Sequence, residues 1–570
     1  MKETGLLSII LKAYQLREQN QHVSALELCK KCLQAFPQNP EVHCLWGILL
    51  QDEKKYMLAE KSINQAIQIN PRKSDYYFFL GNALFSQKKY KSAETAFREC
   101  IRKSDNHYLA YRKLAQSLEK QNKIKSAINA YKSSIDINPN YFKAYFGLAT
   151  LYCRLSDFSD AIYTLQRALA LKPNDLPTLS LLAELLMKDH QFDLAQRVIE
   201  KTLLIDNRHL LSLQNSAFLC VENFQPERAS EFIIQSLHID PVQPELWRLL
   251  SLCKNYLSLD DPDIAQIKKQ LSPSKSDDDK AQYYFALGKI YQDCKQFKKS
   301  FDYYQRANQL KSKSIDYNSA LFKRKISNII GQFNKRKMKK YFCADENETQ
   351  PIFIVGASCS GKSILEKILA SHKKIQRGWD VGITNVIEKT TFDNKPKGKY
   401  PYWLGHMTKI EALALKEAYL ARIHRDIDKV PAYIIDASTD NFEYIGLLQY
   451  LFPRAKIIHI TRNPLDAGFN LYTRFYTEYH LYSYDLKDIG RYFAEHRRMM
   501  AFWQQQFDAP FLTISYESLM TDTKNTLSQI FSYLQMKPHC SFPTHHLHQN
   551  EINSHKPYYQ FLQPLLNYFS

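Results

Sequence analysis

Eight consecutive residues hold the densest anion-binding chemistry in the chain: Gly356-Ala357-Ser358-Cys359-Ser360-Gly361-Lys362-Ser363. Their spacing satisfies G-x-x-x-x-G-K-[ST], in which backbone N–H groups and a helix N-terminus converge on a phosphate and glycine permits its close approach. The flanks suit that role, because PIFIVG precedes the loop as a strand-like apolar run and ILEKILASH follows with helical character. An ordinary strand-to-helix turn is the alternative reading. A lysine at the offset of Lys362 reaches back over such a loop toward the outer phosphate oxygens. Cys359 reads as a passive loop residue rather than a nucleophile, since no motif places a histidine beside it. Asp436, closing the run AYIID, is a carboxylate that could organise a metal ion for nucleoside triphosphate hydrolysis.

Such a loop needs a rigid frame. After residue 345 the chain offers PIFIVG (351–356), AYIIDAS (432–438), AKIIHITRNP (455–464) and APFLTISYE (509–517), separated by helical stretches. Short runs of branched apolar residues in that arrangement read as buried parallel strands of an α/β domain, placed at 346–570.

The first half follows a different rule. Ala25, Ala59, Ala93, Ala127, Ala161, Ala195 and Ala229 recur every 34 residues, each with a small residue upstream (Ala13, Gly47, Gly81, Ala115, Ala149, Ala183, Ala217). A turn-former follows each: Pro37, Pro71, Asp105, Pro139, Pro173, Asn207 or Pro241. Two amphipathic helices can cross closely where their side chains are small, and a Pro or Asx residue ends the second before the next begins. The pattern resembles the tetratricopeptide repeat, with about seven repeats over 1–250. An irregular region, 251–345, then carries DDPDIAQ and SPSKSDDDK, a further repeat-like unit through Gly288, Ser300 and Ala307, and a helical linker. Cys32 occupies a small interhelical position, so packing rather than metal explains the Cys29–Cys32 pair. The resemblance implies a superhelix whose concave groove takes a protein or peptide; bracing the neighbouring domain, or self-association as a homodimer, stays open.

Composition narrows the classes. Only 15 Gly and 22 Pro in 570 residues exclude collagen-like and linker-like chains, and 45% apolar residues exclude wholesale disorder. No apolar run is long enough to span a membrane, and the start lacks a cationic segment with a cleavage site, so a cytoplasmic location is expected. Eleven scattered cysteines read as reduced thiols. The net charge of +19 does not point to nucleic acid, because it is spread through the repeats and a multiply charged ligand accounts for part of it.

Beyond the loop, Ile457–Arg474, NFEYIGLLQYLFPRAKIIHI and LTISYESLMTD resemble the sulfotransferase domain of bacterial tetratricopeptide-repeat proteins, a group similar to tyrosylprotein sulfotransferases. The resemblance implies an all-α repeat superhelix followed by an α/β P-loop domain with a parallel sheet. It implies transfer of a sulfuryl group from 3′-phosphoadenosine 5′-phosphosulfate (PAPS) to a hydroxyl such as protein tyrosine, with no metal. Gly356, Ser358, Cys359, Ser360, Gly361, Lys362 and Ser363 would cradle the 5′-phosphosulfate. Arg462 and Arg474 would clamp the 3′-phosphate, with Asn470 where the family usually has Ser, and Tyr516 would lie near the nucleotide. Asp380 would stand where the family has a Glu general base.

Two cations of the family are replaced, one by Cys359 and one by Ala437. Lys362 stands three residues after the first, where the family usually has Thr, and can serve in its place as the catalytic cation. A catalytically impaired nucleotide-binding scaffold is therefore one alternative. A P-loop kinase or nucleoside triphosphatase using Lys362, Ser363 and Asp436 with magnesium is another.

Overall fold

The structure, a computed structural model, describes residues 3–155, 157–189, 191–223, 225–271, 276–333, 350–378, 382–389, 400–404, 407–423, 432–477, 480–507, 511–537 and 552–569. Asp380 and the basic run 335–340 lie outside them. The chain forms two compact units, Met1–Ser212 and Leu213–Ser570.

In the first unit antiparallel helix pairs follow one another, from Glu3–Glu18 with His22–Ala35 to Leu176–Lys188 with Phe192–Ile205. The small residues sit where helices cross. Ala25, Ala59, Ala93, Ala127, Ala161 and Ala195 are fully buried, and a methyl added at Gly47 would lie 2.4 Å from Ile63 Cγ1. Overpacking such a crossing typically costs about 1–3 kcal/mol. Hydrogen bonds repeat with the sequence period too. Gln87 Nε2 donates to Glu60 (2.8 Å) and Lys89 Nζ to the same carboxylate (3.0 Å); one repeat later Gln121 and Lys123 do the same to Glu94, at 2.9 and 2.8 Å. Cys29 and Cys32 are buried among apolar neighbours, and burial pushes the Cys29 thiol up to about 12. Among the described residues no helix is long and apolar enough to cross a membrane.

The second unit opens on helices of the same kind, including Pro244–Cys253 and the pair Asp277–Asp293 and Phe297–Ser312, in which a methyl at Gly288 would meet the Tyr304 ring at 2.6 Å. Helix Ser319–Gln332 follows. Five strands then form a parallel sheet: β1 (Gln350–Val355), β2 (Ile375–Arg377), β3 (Tyr433–Asp436), β4 (Lys456–Thr461) and β5 (Leu512–Ser515), in the order β2-β3-β1-β4-β5. Alternation along β1 sends Phe353 and Val355 to one core and Ile352 and Ile354 to the other, where the loop helix Lys362–Ala370 contributes Leu365, Ile368 and Leu369. Both faces are covered, which is why the strands read as unbroken apolar runs. β1 is central, so the loop leaving its carboxyl end emerges between the ends of β3 and β4, the usual ligand crevice of such sheets.

Candidate active site

The loop between β1 and helix Lys362–Ala370 holds a backbone that few residues tolerate. Gly361, capping the helix, has φ +101°, and a methyl there would lie 2.5 Å from the Tyr516 ring. Cys359 has φ +60° without being glycine, a conformation that costs of order 1 kcal/mol and concentrates at functional sites. At Gly356 a methyl would meet Ile460 O at 2.4 Å. Ser358 and Ser360 are buried, Cys359 is half-buried and Ser363 exposed. Ser360 Oγ is buried and makes no hydrogen bond among the described residues. An unsatisfied buried hydroxyl in a glycine-flanked loop suits an anion that accepts its hydrogen bond.

Lys362 turns inward. It is 8% exposed, and its ammonium donates to Gly356 O (3.0 Å) and Ala357 O (3.1 Å). Three imidazoles share this interior. Burial and then the Lys362 charge push His459 on β4 and His480 down to about 4. His496, on helix Leu486–Gln506, lies well below its ordinary value through burial, His459 and Lys362 in turn. All three are neutral at pH 7, so they add no positive charge beside Lys362.

The two guanidiniums differ. Arg462, just beyond β4, donates from Nη1 to the Cys359 carbonyl at 3.1 Å and lies 4.2 Å from the centroid of the Tyr516 ring. Tyr516 is fully buried against Gly361, so Arg462, Tyr516 and the loop make one stack. Arg474 is exposed, two residues past helix Pro464–Tyr472. Its charge acts on Tyr476, whose hydroxyl lies 3.6 Å from Cys359 Sγ. Asn470, on that helix, has a buried Nδ2 with no hydrogen-bond partner among the described residues. Asp466 anchors the same helix: it accepts from Asn553 N (2.8 Å), His555 N (3.1 Å) and His555 Nδ1 (2.6 Å).

Residues that sequence reasoning missed complete the surroundings. Tyr482 donates to Ser358 Oγ at 2.7 Å, Ser358 N–H donates to Tyr492 Oη at 3.2 Å, and the two tyrosine rings stack at 4.1 Å. His480 Nδ1 lies 3.1 Å from both Ser358 Oγ and Tyr482 Oη, and its φ of +63° is another non-glycine left-handed residue beside the loop. Asp436, the metal-organising candidate, is 1% exposed and accepts from Tyr419 Oη (2.5 Å), Ser438 N (2.9 Å) and Asn441 Nδ2 (2.9 Å). That carboxylate is engaged as a structural acceptor.

Residues 351–539 match the model of the sulfotransferase family, and 44–107, 112–175, 154–216 and 281–314 match tetratricopeptide-repeat models. The chain joins tetratricopeptide repeats to a sulfotransferase-family domain. An uncharacterized protein of Aquifex aeolicus (strain VF5) is 26% identical over 276 residues, which is 46% of this chain and 36% of that protein's length. Among solved structures, MamA is 24% identical over 28% of this chain and 94% of its own (TM-score 0.27). The C-terminal part of a repeat protein from Cytophaga hutchinsonii is 18% identical over 42% of this chain and 99% of its own (TM-score 0.38). YrrB, described as a repeat protein with an unusual peptide-binding site, is 19% identical over 32% of this chain and 94% of its own (TM-score 0.30).

Proposed function

We propose that the sulfotransferase domain moves a sulfuryl group from PAPS to a hydroxyl, with protein tyrosine as the acceptor, presented by the repeat groove. The observation that carries this reading is the stack of Arg462 on both the Cys359 carbonyl and the Tyr516 ring, which fixes a guanidinium to the loop. The buried Ser360 hydroxyl and Asn470 amide offer further donors suited to anions. PAPS would supply a sulfuryl group joined through a bridging oxygen to its 5′-phosphate; as the acceptor oxygen bonds to sulfur that S–O bond breaks, and adenosine 3′,5′-bisphosphate leaves.

The roles divide accordingly. The 356–363 loop holds the 5′ end, Arg462, Arg474 and Asn470 hold the 3′-phosphate, and Tyr516 supports both loop and guanidinium. Lys362 supplies the cation that Cys359 and Ala437 no longer provide and stabilises charge on the leaving phosphate oxygen. Asp380 takes the acceptor proton in this scheme and lies outside the described residues. Side-chain and backbone donors suffice for charge stabilisation in such an in-line transfer. The three protein donors on Asp436 give the magnesium-dependent kinase or triphosphatase reading no support. An impaired scaffold differs from the active enzyme only in turnover.

Isothermal calorimetry with adenosine 3′,5′-bisphosphate and with magnesium-ATP tests the assignment. Binding of the bisphosphate in the presence of EDTA, at least tenfold tighter than magnesium-ATP, is expected. Magnesium-dependent ATP binding with no bisphosphate binding would overturn it.

A further inference from the structure

The segment after helix Pro464–Tyr472 joins two parts of the second unit. Its middle residue, Phe475, packs among repeat helices: the Phe285 ring meets it edge-on at 6.1 Å, the Lys311 ammonium lies 4.8 Å from its centroid and the Arg248 guanidinium 5.4 Å. Phe285 and Lys311 belong to the helix pair Asp277–Asp293 and Phe297–Ser312, Arg248 to helix Pro244–Cys253. These contacts are built in. Lys311 is 7% exposed and donates to both oxygens of Asp278, at 2.7 and 2.9 Å. Asn308, 1% exposed, donates from Nδ2 to the carbonyl of Tyr472 at 2.9 Å, holding the end of the helix from which the segment departs.

The next residue, Tyr476, faces the loop. Tyr476 places its hydroxyl 3.6 Å from Cys359 Sγ in the loop, with its backbone N–H donating to Tyr484 Oη and its carbonyl accepting from the same hydroxyl, both at 2.6 Å. Arg474, on the opposite side of Phe475 in the chain, is the second guanidinium assigned to the 3′-phosphate. One aromatic side chain thus sits in a repeat-helix socket while the residue after it touches the loop and the residue before it is the guanidinium proposed for the 3′-phosphate. A socket made of aromatic and cationic groups is specific to a ring, and cation–π contacts that are desolvated are worth more than exposed ones.

We infer that Phe475 is a positioning residue through which the last repeat helices set Arg474 and Tyr476, so that occupancy of the anion site and order in helix Phe297–Ser312 are linked. The inference rests on the donor reading of the loop and Arg474. Linkage is reciprocal: if the socket helps bind the ligand, the ligand must tighten the socket.

Hydrogen exchange of the full-length chain with and without adenosine 3′,5′-bisphosphate reads both ends at once. The expected result is slower exchange in helix Lys362–Ala370 and also in helix Phe297–Ser312. In Phe475→Ala, affinity falls roughly tenfold or more; at saturation the loop helix is still protected and helix Phe297–Ser312 is not. Should that variant fail to fold, Lys311→Met keeps the aliphatic stem and removes the charge, with affinity falling roughly fivefold. Protection confined to the loop helix in the parent chain, or unchanged affinity in a folded variant, overturns the coupling and leaves the donor reading intact. No response at the loop helix overturns the donor reading and the coupling with it.

Discussion

Lys362→Ala is expected to reduce sulfuryl transfer by at least about 100-fold while adenosine 3′,5′-bisphosphate still binds. A single preorganised donor aimed at developing charge is worth roughly 3 kcal/mol, or about two orders of magnitude in rate. By the resemblance Cys359 stands where a cation is usual, and the buried Lys362 Nζ is held within the loop by the carbonyls of Gly356 and Ala357. In the proposed binding mode the bisphosphate product lacks the sulfuryl group but would keep contacts to Arg462 and the loop amides, so affinity is expected to change less than turnover. Single-turnover transfer of sulfur-labelled PAPS to any acceptor that the parent chain sulfonates makes the comparison. Lys362→Met separates loss of charge from loss of packing. Unchanged turnover in either folded variant would remove Lys362 from the reaction.

Stability is expected to fall as pH drops from about 6.5 to 4. His459 and His480 have folded values pushed down to about 4, against an ordinary value near 6.5. Between those limits the unfolded chain binds protons that the folded chain refuses. Stability is therefore full above pH 6.5 and is lost on acidification through the window. Each histidine contributes at most about 1.4 kcal/mol per pH unit there, and His496 adds in the same direction. The buried carboxyls of Asp440 and Glu443, raised by burial, act in the opposite sense. Chemical denaturation of the chain at pH 7, 6 and 5 should show the loss, and His459→Gln should flatten it by about one histidine's share. A parent curve flat across this window would contradict neutral imidazoles around Lys362.

Local regularity explains what was readable beforehand. The repeat array was legible because Ala25 and its counterparts recur at a fixed interval and each must be small where helices cross. β1, β3, β4 and β5 announced themselves as branched apolar runs, whereas β2, only Ile375–Arg377, carries too little pattern to stand out. The loop was legible because its glycines and lysine have fixed offsets, and the structure places Arg462 and Tyr516 on it. Less local arrangements were hidden. Nothing near Phe475 in sequence announces a socket built from residues 248, 285 and 311, and nothing near His480 announces its contact with Ser358. His459 alone left a trace, as a polar residue inside the apolar run KIIHIT. The missing signals belong to tertiary contacts, which depend on where distant helices end rather than on the residues beside the site.

A crystal structure of the chain with adenosine 3′,5′-bisphosphate tests the central claim most directly. The 5′-phosphate should lie within hydrogen-bond distance of Ser360 Oγ and the loop amides, with the 3′-phosphate against Arg462 and Arg474. A molecule bound away from the 356–363 loop, or one whose 3′-phosphate touches neither guanidinium, would contradict the account.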